Sequence, residues 1–191
     1  MDRGRSAHLL IVGGSIGASD PTNRRAQNDL LRVIDDLGLR SAVTITGTLS
    51  PRDVSAHLLA ADVAALPYRD GASFRRGSLL ATLAHGLPLV STRGPDPLDR
   101  EVLGAALRDR ENCRLVPPDD PAALAGVLTD LAADPTARAH LAAGAATLAE
   151  AFRWPAIAKQ TAGLYEEVLA AKDERGTPTA GSEVTPRTTD D

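Results

Sequence analysis

The sequence contains few of the residues that would indicate its class at once. Only one of its 191 residues is cysteine, Cys113, which excludes an intramolecular disulfide framework and a metal site built from several cysteines. Aromatic residues make up 3%, so a core must consist mainly of Ala, Leu and Val. No run approaches the roughly 18 apolar residues of a membrane span, and residues 1–6 show no signal-peptide pattern. We therefore expect a soluble, cytoplasmic protein without a transmembrane segment.

The chain also lacks a large excess of charge of either sign. It has 21 Lys and Arg against 25 Asp and Glu, a formal net charge of −4. We expect no nucleic-acid partner, because proteins that bind polyanions are usually strongly basic. Hydrophobic residues make up 43% and charged residues 24%, as in a folded domain. Apolar residues almost disappear from residue 173 onward, so we expect one domain over residues 1–172 and a disordered tail over 173–191.

Short apolar runs alternate with stretches of helical periodicity along the chain. This alternation predicts an α/β fold with a parallel sheet, helices on both of its faces, and additional helices at the C-terminus. The predicted strands are residues 9–12, 43–46, 62–66, 88–92 and 113–116. The predicted helices are residues 25–37, 50–59, 75–85 and 97–107, followed by three that begin at Asp120-Pro121, Asp134-Pro135 and Trp154-Pro155. Ligands of such sheets bind beyond the carboxyl ends of the strands, which directs attention to the loops there.

The loop before the third predicted helix combines several groups that suit an anion. Gly71 permits close backbone approach, Ser73 and Ser78 offer hydroxyls, and Arg75 and Arg76 stand at the predicted helix start. A helix N-terminus presents unpaired N–H groups and a positive dipole end, and guanidinium groups bind diphosphates well. The alternative is a surface helix with two solvated arginines. Two positive charges at a helix start oppose the helix dipole, which favours a functional role.

Other candidate residues have plainer interpretations. Asp70 is either a turn residue before the following glycine or a contact to a bound ligand. The glycine-rich loop at residues 13–17 lacks the G-x-G-x-x-G spacing of a dinucleotide site, so we interpret it as a strand-end turn, with ligand contact as the alternative. The four histidines show no metal-ligand spacing and are assigned structural roles, and Cys113 is treated as a small apolar residue. We expect no metal site.

Residues 67–91, P-Y-R-D-G-A-S-F-R-R-G-S-L-L-A-T-L-A-H-G-L-P-L-V-S, resemble the donor-binding segment of family 4 glycosyltransferases, which have the GT-B fold. In that family a helix ends in a small residue, a variable residue and G-x-P before a strand, as A-H-G-L-P does at 84–88. Further similar segments follow the same order, at residues 43–50, 115–121 and 152–169. The resemblance spans about residues 8–170 and implies a Rossmann-like donor-binding half of a GT-B enzyme.

The resemblance implies transfer of a sugar from a nucleotide-sugar donor with retention of configuration and without a metal or other cofactor. Cations and helix-end amides would stabilise the departing diphosphate, and Asp70 with Gly71 would orient the sugar. It therefore implies catalytic roles for Asp70, Arg75 and Arg76, and donor binding by Gly13, Gly47, Gly71, Ser73, Gly77 and Ser78.

Three departures from the family pattern accompany this resemblance. Ala81 occupies the position of the family's second Glu, near the ribose. The family's leading strand–loop–helix, with an Arg and a Lys for the diphosphate, has no counterpart here, and neither has the acceptor domain. We therefore expect an apparently truncated chain that is inactive alone and associates with a separate acceptor-domain chain or with itself. The alternative is a non-catalytic fragment that binds a nucleotide or a partner. A nucleotide-sugar epimerase would need an acid/base constellation that the sequence does not show.

Overall fold

The computed structural model describes residues 7–13, 21–94, 101–102 and 105–176. Its strands are β1 (Leu9–Ile11), β2 (Val43–Ile45), β3 (Ala64–Leu66), β4 (Leu89–Thr92), β5 (Glu101–Val102), β6 (Ala105–Ala106) and β7 (Arg114–Val116). Its α-helices are α1 (Pro21–Asp36), α2 (Pro51–Ala60), α3 (Gly77–Ala84), α4 (Pro121–Ala133), α5 (Pro135–Ala149) and α6 (Trp154–Gly176). Short 3₁₀ turns occupy Arg40–Ala42 and Glu150–Phe152. None of the helices described is both long and apolar enough to cross a membrane.

The five predicted strands are confirmed, each one or two residues shorter than expected, and their pairings are parallel. Strand β1 pairs with β2, with Leu10 opposite Thr44. Strand β4 lies between β3 and β7, with Val90 opposite both Ala65 and Arg114. Within the described residues the strands therefore form two parallel sheets, one of two strands and one of three. The α/β class with parallel strands and flanking helices is confirmed.

The helix predicted over residues 97–107 is wrong where that stretch is described. Strands β5 and β6 form an antiparallel pair there, with Glu101 opposite Ala106 and Val102 opposite Ala105. The sequence places Gly104 in the middle of the predicted helix, where glycine costs about 1 kcal/mol relative to alanine. Periodicity alone did not reveal this competing pairing.

Side-chain caps fix the starts of three helices at the predicted positions. Ser50, Asp120 and Asp134 each accept a hydrogen bond from the backbone N–H three residues later, at 3.2, 2.9 and 3.0 Å. A proline follows each cap, where its missing N–H costs nothing. Helix α6 begins at Trp154 as expected and continues to Gly176, past the predicted domain boundary at residue 172. The rest of the predicted tail, residues 177–191, lies outside the described residues, and its disorder stays a prediction.

The core lies on both faces of the three-stranded sheet. Leu89 and Leu115 face one side, and their neighbours Val90 and Val116 face the other, as successive strand residues do. The first side packs against helices α3 and α5 through Leu79, Leu83, Ala145 and Leu148. The second side packs against helices α4 and α5 through Leu131 and Leu141. Both faces of this sheet are therefore covered, which gives a firm support for the loops at its carboxyl edge.

Candidate functional site

The loop between β3 and α3 is fixed to the carboxyl end of strand β4. Ser91 Oγ donates to the Leu66 carbonyl at 2.7 Å, and Thr92 Oγ1 donates to the Tyr68 carbonyl. The Ala72 N–H then donates to the Thr92 carbonyl at 2.9 Å. Both donor side chains are buried, so these bonds are shielded from water. The loop is thus held at the edge of the sheet where ligands of parallel sheets bind.

Gly71 allows this loop to lie directly against the segment that follows β4. Its φ of +86° falls in the left-handed region, and a Cβ there would lie 2.2 Å from Gly94 Cα and 2.6 Å from Gly94 N. Contacts this short with backbone atoms require the chain to move. The close approach that the structure assigns to Gly71 is to its own chain, and donor binding by this residue stays a prediction.

Four side chains form a connected group, which we name the Arg76 cluster: Tyr68, Asp70, Arg76 and Ser78. The Arg76 guanidinium lies over the Tyr68 ring, 4.3 Å from its centroid, and Arg76 Nη2 donates to both carboxylate oxygens of Asp70. The Tyr68 hydroxyl and Ser78 Oγ are 2.6 Å apart. The Arg76 side chain is 34% exposed and that of Asp70 is 73% exposed. The structure therefore brings together Asp70, Arg76 and Ser78, three of the residues that the sequence nominated at this loop.

Helix α3 begins two residues later than predicted, at Gly77. Arg75 therefore precedes the helix, and Arg76 is its cap residue, with an extended backbone and no side-chain capping bond. The first intrahelical bonds run from the Leu79 and Leu80 N–H groups to the Arg76 carbonyl, at 3.1 and 3.2 Å. The N–H groups of Gly77 and Ser78 belong to the helix start, where no intrahelical acceptor is available. Such a helix end suits an anion.

Arg75 and Ser73 form a second, smaller contact beside the Arg76 cluster. Arg75 is exposed, and its backbone N–H and its Nε both point at Ser73 Oγ, at 3.4 and 3.3 Å. The two adjacent arginines thus engage different partners, because Arg76 turns toward Asp70. Only Arg76 belongs to the connected cluster.

Gly13 and Gly47 come together at the carboxyl ends of β1 and β2. They form an isolated bridge, and the Gly13 N–H donates to Thr46 Oγ1 at 3.0 Å. Both have positive φ, +123° and +68°, which favours glycine at these turns. The structure therefore places the predicted site residues in two groups on two different sheets. Residues 14–20 and 95–96, which belong to the predicted ligand loops, lie outside the described residues.

Sequence reasoning missed Tyr68, which contacts two of the other three members of the cluster, Arg76 and Ser78. A usable signal was present: the chain has only two tyrosines, and this one follows the end of a strand directly after Pro67.

Ala81, at the position of the family's Glu, lies on α3, and its carbonyl is 2.7 Å from His85 Nδ1. His85 Nε2 is 2.7 Å from Ser55 Oγ. His85 thus links α3 to α2.

The sequence similarity agrees with this architecture. Residues 2–134 match the family model of Glycosyl transferases group 1, and the chain belongs to that family. The MMP α-(1→4)-mannosyltransferase of Mycolicibacterium hassiacum is 33% identical over 142 residues, which cover 73% of this chain and 32% of that protein. This match identifies a glycosyltransferase relative, as the resemblance of residues 67–91 predicted.

Solved structures confirm the GT-B architecture. Sucrose-phosphate synthase from Thermosynechococcus elongatus superimposes with a TM-score of 0.66 at 26% identity, covering 86% of this chain and 39% of that one. HepE from Anabaena, in its complex with UDP, gives a TM-score of 0.68 at 18% identity, covering 84% of this chain and 41% of that one. The chain thus spans between about a third and two fifths of the proteins it matches.

Proposed function

We propose that this chain binds the nucleotide-sugar donor of a retaining glycosyltransferase, and that a further domain supplies the sugar acceptor. The observation that carries the proposal is the Arg76 cluster at the start of α3, on the carboxyl edge of a parallel sheet with a core on both faces. Family membership supports it, and so does the UDP bound by HepE, a protein of the same fold. A cytoplasmic location, where nucleotide-sugars are made, forms part of the proposal.

Leaving-group stabilisation is the catalytic work that these residues would perform. When the bond between the anomeric carbon of the sugar and the diphosphate oxygen breaks, the sugar passes to the acceptor and negative charge grows on the departing diphosphate. Arg76 and the N–H groups of Gly77 and Ser78 lie at one helix end, where an anion gains from both the dipole and the donors. Arg75, one residue earlier, adds a second positive charge. The proposed mechanism uses these groups and needs no metal ion.

The remaining predicted residues would position the donor. The Asp70 carboxylate stays largely exposed although it pairs with Arg76, so it is available to accept hydrogen bonds from sugar hydroxyls. Ser73 Oγ contributes a further polar group next to Arg75. Gly71 holds the loop close to the sheet edge. Gly13 and Gly47 would let the backbone at the edge of the other sheet approach the donor.

Binding of nucleoside diphosphates tests the donor site directly. Titration calorimetry with UDP, GDP and ADP should show binding of at least one of them, with a Kd of about 10 μM to 1 mM. Arg75→Ala/Arg76→Ala should abolish it, because each charge-assisted hydrogen bond is worth about 1.5–3 kcal/mol. The same titrations in EDTA should give unchanged affinities.

The matched control for this titration is Arg32→Ala/Arg40→Ala, which removes two exposed arginines that pair with Asp29 and Asp35. It lowers the net charge equally and should retain binding. Equal binding by wild type and Arg75→Ala/Arg76→Ala would remove these arginines from the site.

The exposed side of α6 supports the proposed acceptor partner. Leu164, Tyr165, Val168 and Leu169 are between 56% and 66% exposed, and their i, i+4 spacing places them along one side of the helix. Continuous apolar surface of this kind usually meets a partner. We propose that this stripe packs against the acceptor domain or, in its absence, against a second copy.

Light scattering after size-exclusion chromatography should show that the isolated chain associates and that Leu164→Ser/Val168→Ser removes this association. A stable monomer of the wild-type chain at high micromolar concentration would contradict the proposal.

Transfer by the isolated chain should be negligible, because holding donor and acceptor together supplies roughly 7–11 kcal/mol of the rate enhancement. Radiolabelled nucleotide-sugars and mixed acceptors measure this. Slow donor hydrolysis at most is the expected result. Robust transfer by the pure chain would show that it assembles an acceptor site itself, whereas nucleotide binding that never supports transfer with any acceptor domain would favour the non-catalytic interpretation.

A further inference from the structure

We infer that Tyr68 is a positioning residue for the diphosphate end of the donor site, holding Arg76 and Ser78 in the arrangement that an anion would meet. This inference rests on the proposed function. It assigns a role to a residue that the sequence did not nominate and that lies outside the helix start itself.

Tyr68 is itself held in place from several directions. Its carbonyl accepts from Thr92 Oγ1 and, at 3.2 Å, from the Gly71 N–H, and its own N–H donates to the Leu66 carbonyl at 3.0 Å. Its half-buried ring packs against the cluster formed by Phe74, Leu79 and their neighbours. The backbone bonds thus hold residue 68 in place, and the packing of its ring restricts the rotamers that the side chain can adopt.

The ring and Asp70 hold different parts of the Arg76 guanidinium. The Asp70 carboxylate accepts hydrogen bonds from Nη2, whereas the Tyr68 ring lies below the guanidinium carbon Cζ, which is 4.3 Å from the ring centroid. A bound diphosphate is an anion and competes with Asp70 for the guanidinium hydrogens, but it does not compete for the contact with the ring. Tyr68 can therefore keep Arg76 at the start of α3 while the edge of the guanidinium exchanges one anion for another.

The hydroxyl of Tyr68 adds a second point of control. It lies 2.6 Å from Ser78 Oγ, and Ser78 is the second residue of α3. The N–H of that residue is one of the amides that the proposed site would offer to the diphosphate. One aromatic side chain thus fixes both the cationic and the helix-end part of the site.

Titration of the whole chain with UDP and with inorganic pyrophosphate tests this role, using Tyr68→Leu, Tyr68→Phe and the control Trp154→Leu. Trp154 is the first residue of α6 and is 82% exposed, so the control also removes an aromatic ring from the surface. We expect Tyr68→Leu to weaken both affinities at least fivefold. Tyr68→Phe, which keeps the ring, should weaken them about twofold, with no further loss when Ser78→Ala is added. Trp154→Leu should change neither.

The NMR signal of the Arg76 Nε–H group, assigned by its loss in Arg76→Lys, supplies a readout that a general loss of stability does not move. The Tyr68 ring should shift this signal upfield in wild type and Tyr68→Phe, and Tyr68→Leu should abolish the shift.

If wild type binds neither probe, the proposed function fails and this inference with it. If wild type binds through Arg76 but all Tyr68 variants bind equally, the inference alone is overturned. Should Tyr68→Leu fail to fold, Tyr68→Phe decides the question. If that variant binds both probes with wild-type affinity and its Arg76 signal is unshifted, the inference is likewise overturned.

Discussion

The two parallel sheets of this chain differ sharply in how well they are covered. All four residues of β4, in the three-stranded sheet, are at most 2% exposed, whereas Leu9 of β1 is 51% exposed and Ile45 of β2 is 37% exposed. Helix α1 adds little cover, because Val33 is 52% exposed and, where the burial of the helix is described, its buried apolar side chain is Ile34. Leu37, just after the helix, is 64% exposed. Stability should therefore be concentrated in the three-stranded sheet, and the Arg76 cluster lies on that stable part.

The comparison has a physical cause in strand position. Strand β4 has hydrogen-bonded neighbours on both sides and helices on both faces, so a continuous apolar run is completely removed from water. Strand β1 has β2 as its described neighbour. Regions with few buried apolar side chains open locally at lower free energy than the core. The glycine pair at Gly13 and Gly47 thus lies on the less stable sheet.

Truncation of one leucine in each sheet tests this comparison, and it has the largest expected effect on the free energy of unfolding. Leu89→Ala removes a fully buried side chain and should lower the free energy of unfolding by about 2–5 kcal/mol, from lost transfer energy and the cavity left behind. Leu9→Ala, at a half-exposed position, should cost less than about 1 kcal/mol. Urea unfolding followed by circular dichroism measures both. Similar losses would show that the two sheets are equally packed.

Gly71, within the loop between β3 and α3, and Gly77, at the start of α3, provide a second test of medium size. Gly71→Ala introduces a Cβ against the backbone of Gly94 at positive φ, and we expect a loss of roughly 1–3 kcal/mol together with weaker pyrophosphate binding. Gly77→Ala meets open space at an ordinary φ, and fewer unfolded conformations should stabilise the chain by up to about 1 kcal/mol. Thermal unfolding and calorimetry distinguish these outcomes. An unaffected Gly71→Ala protein would mean that the loop is not held against the sheet.

How much of this the sequence could predict depends on how local the determining contacts are. Helix starts such as Ser50 and Asp134 were predictable, because the cap residue, the adjacent proline and the bonded N–H all lie within four consecutive residues. The pairing of residue 101 with 106 was not, because periodicity does not show when strand pairing outweighs helix formation. The start of α3 at Gly77 also escaped prediction.

The contacts that define the site were the least predictable part. Arg76 meets Tyr68, eight residues earlier, and Asp70, six residues earlier, only because the loop folds back onto the end of β4. No periodic pattern encodes this return of the chain. The residue types at the site could be nominated from the sequence, whereas their grouping required the buried hydroxyls of Ser91 and Thr92.

The contrast between well-covered and poorly covered parts of the molecule recurs within the site, where an exposed carboxylate stands beside a buried backbone. Asp70→Asn tests this contrast, and it is the substitution with the smallest expected effect on stability. Asp70 is 73% exposed and its neighbour Gly71 is buried, so removing this carboxylate should change the free energy of unfolding by less than about 1 kcal/mol. Its effect on ligand affinity should be larger and should differ between pyrophosphate and a nucleotide-sugar. Pyrophosphate competes with Asp70 for Arg76, so Asp70→Asn should bind it several-fold more tightly. A nucleotide-sugar whose hydroxyls donate hydrogen bonds to this carboxylate should gain less affinity or bind more weakly.

Parallel titrations with pyrophosphate, UDP and UDP-glucose measure this difference. Asp29→Asn, at another exposed ion pair, is the control. Equal gains for all three probes would restrict Asp70 to its pairing with Arg76 and remove it from sugar recognition.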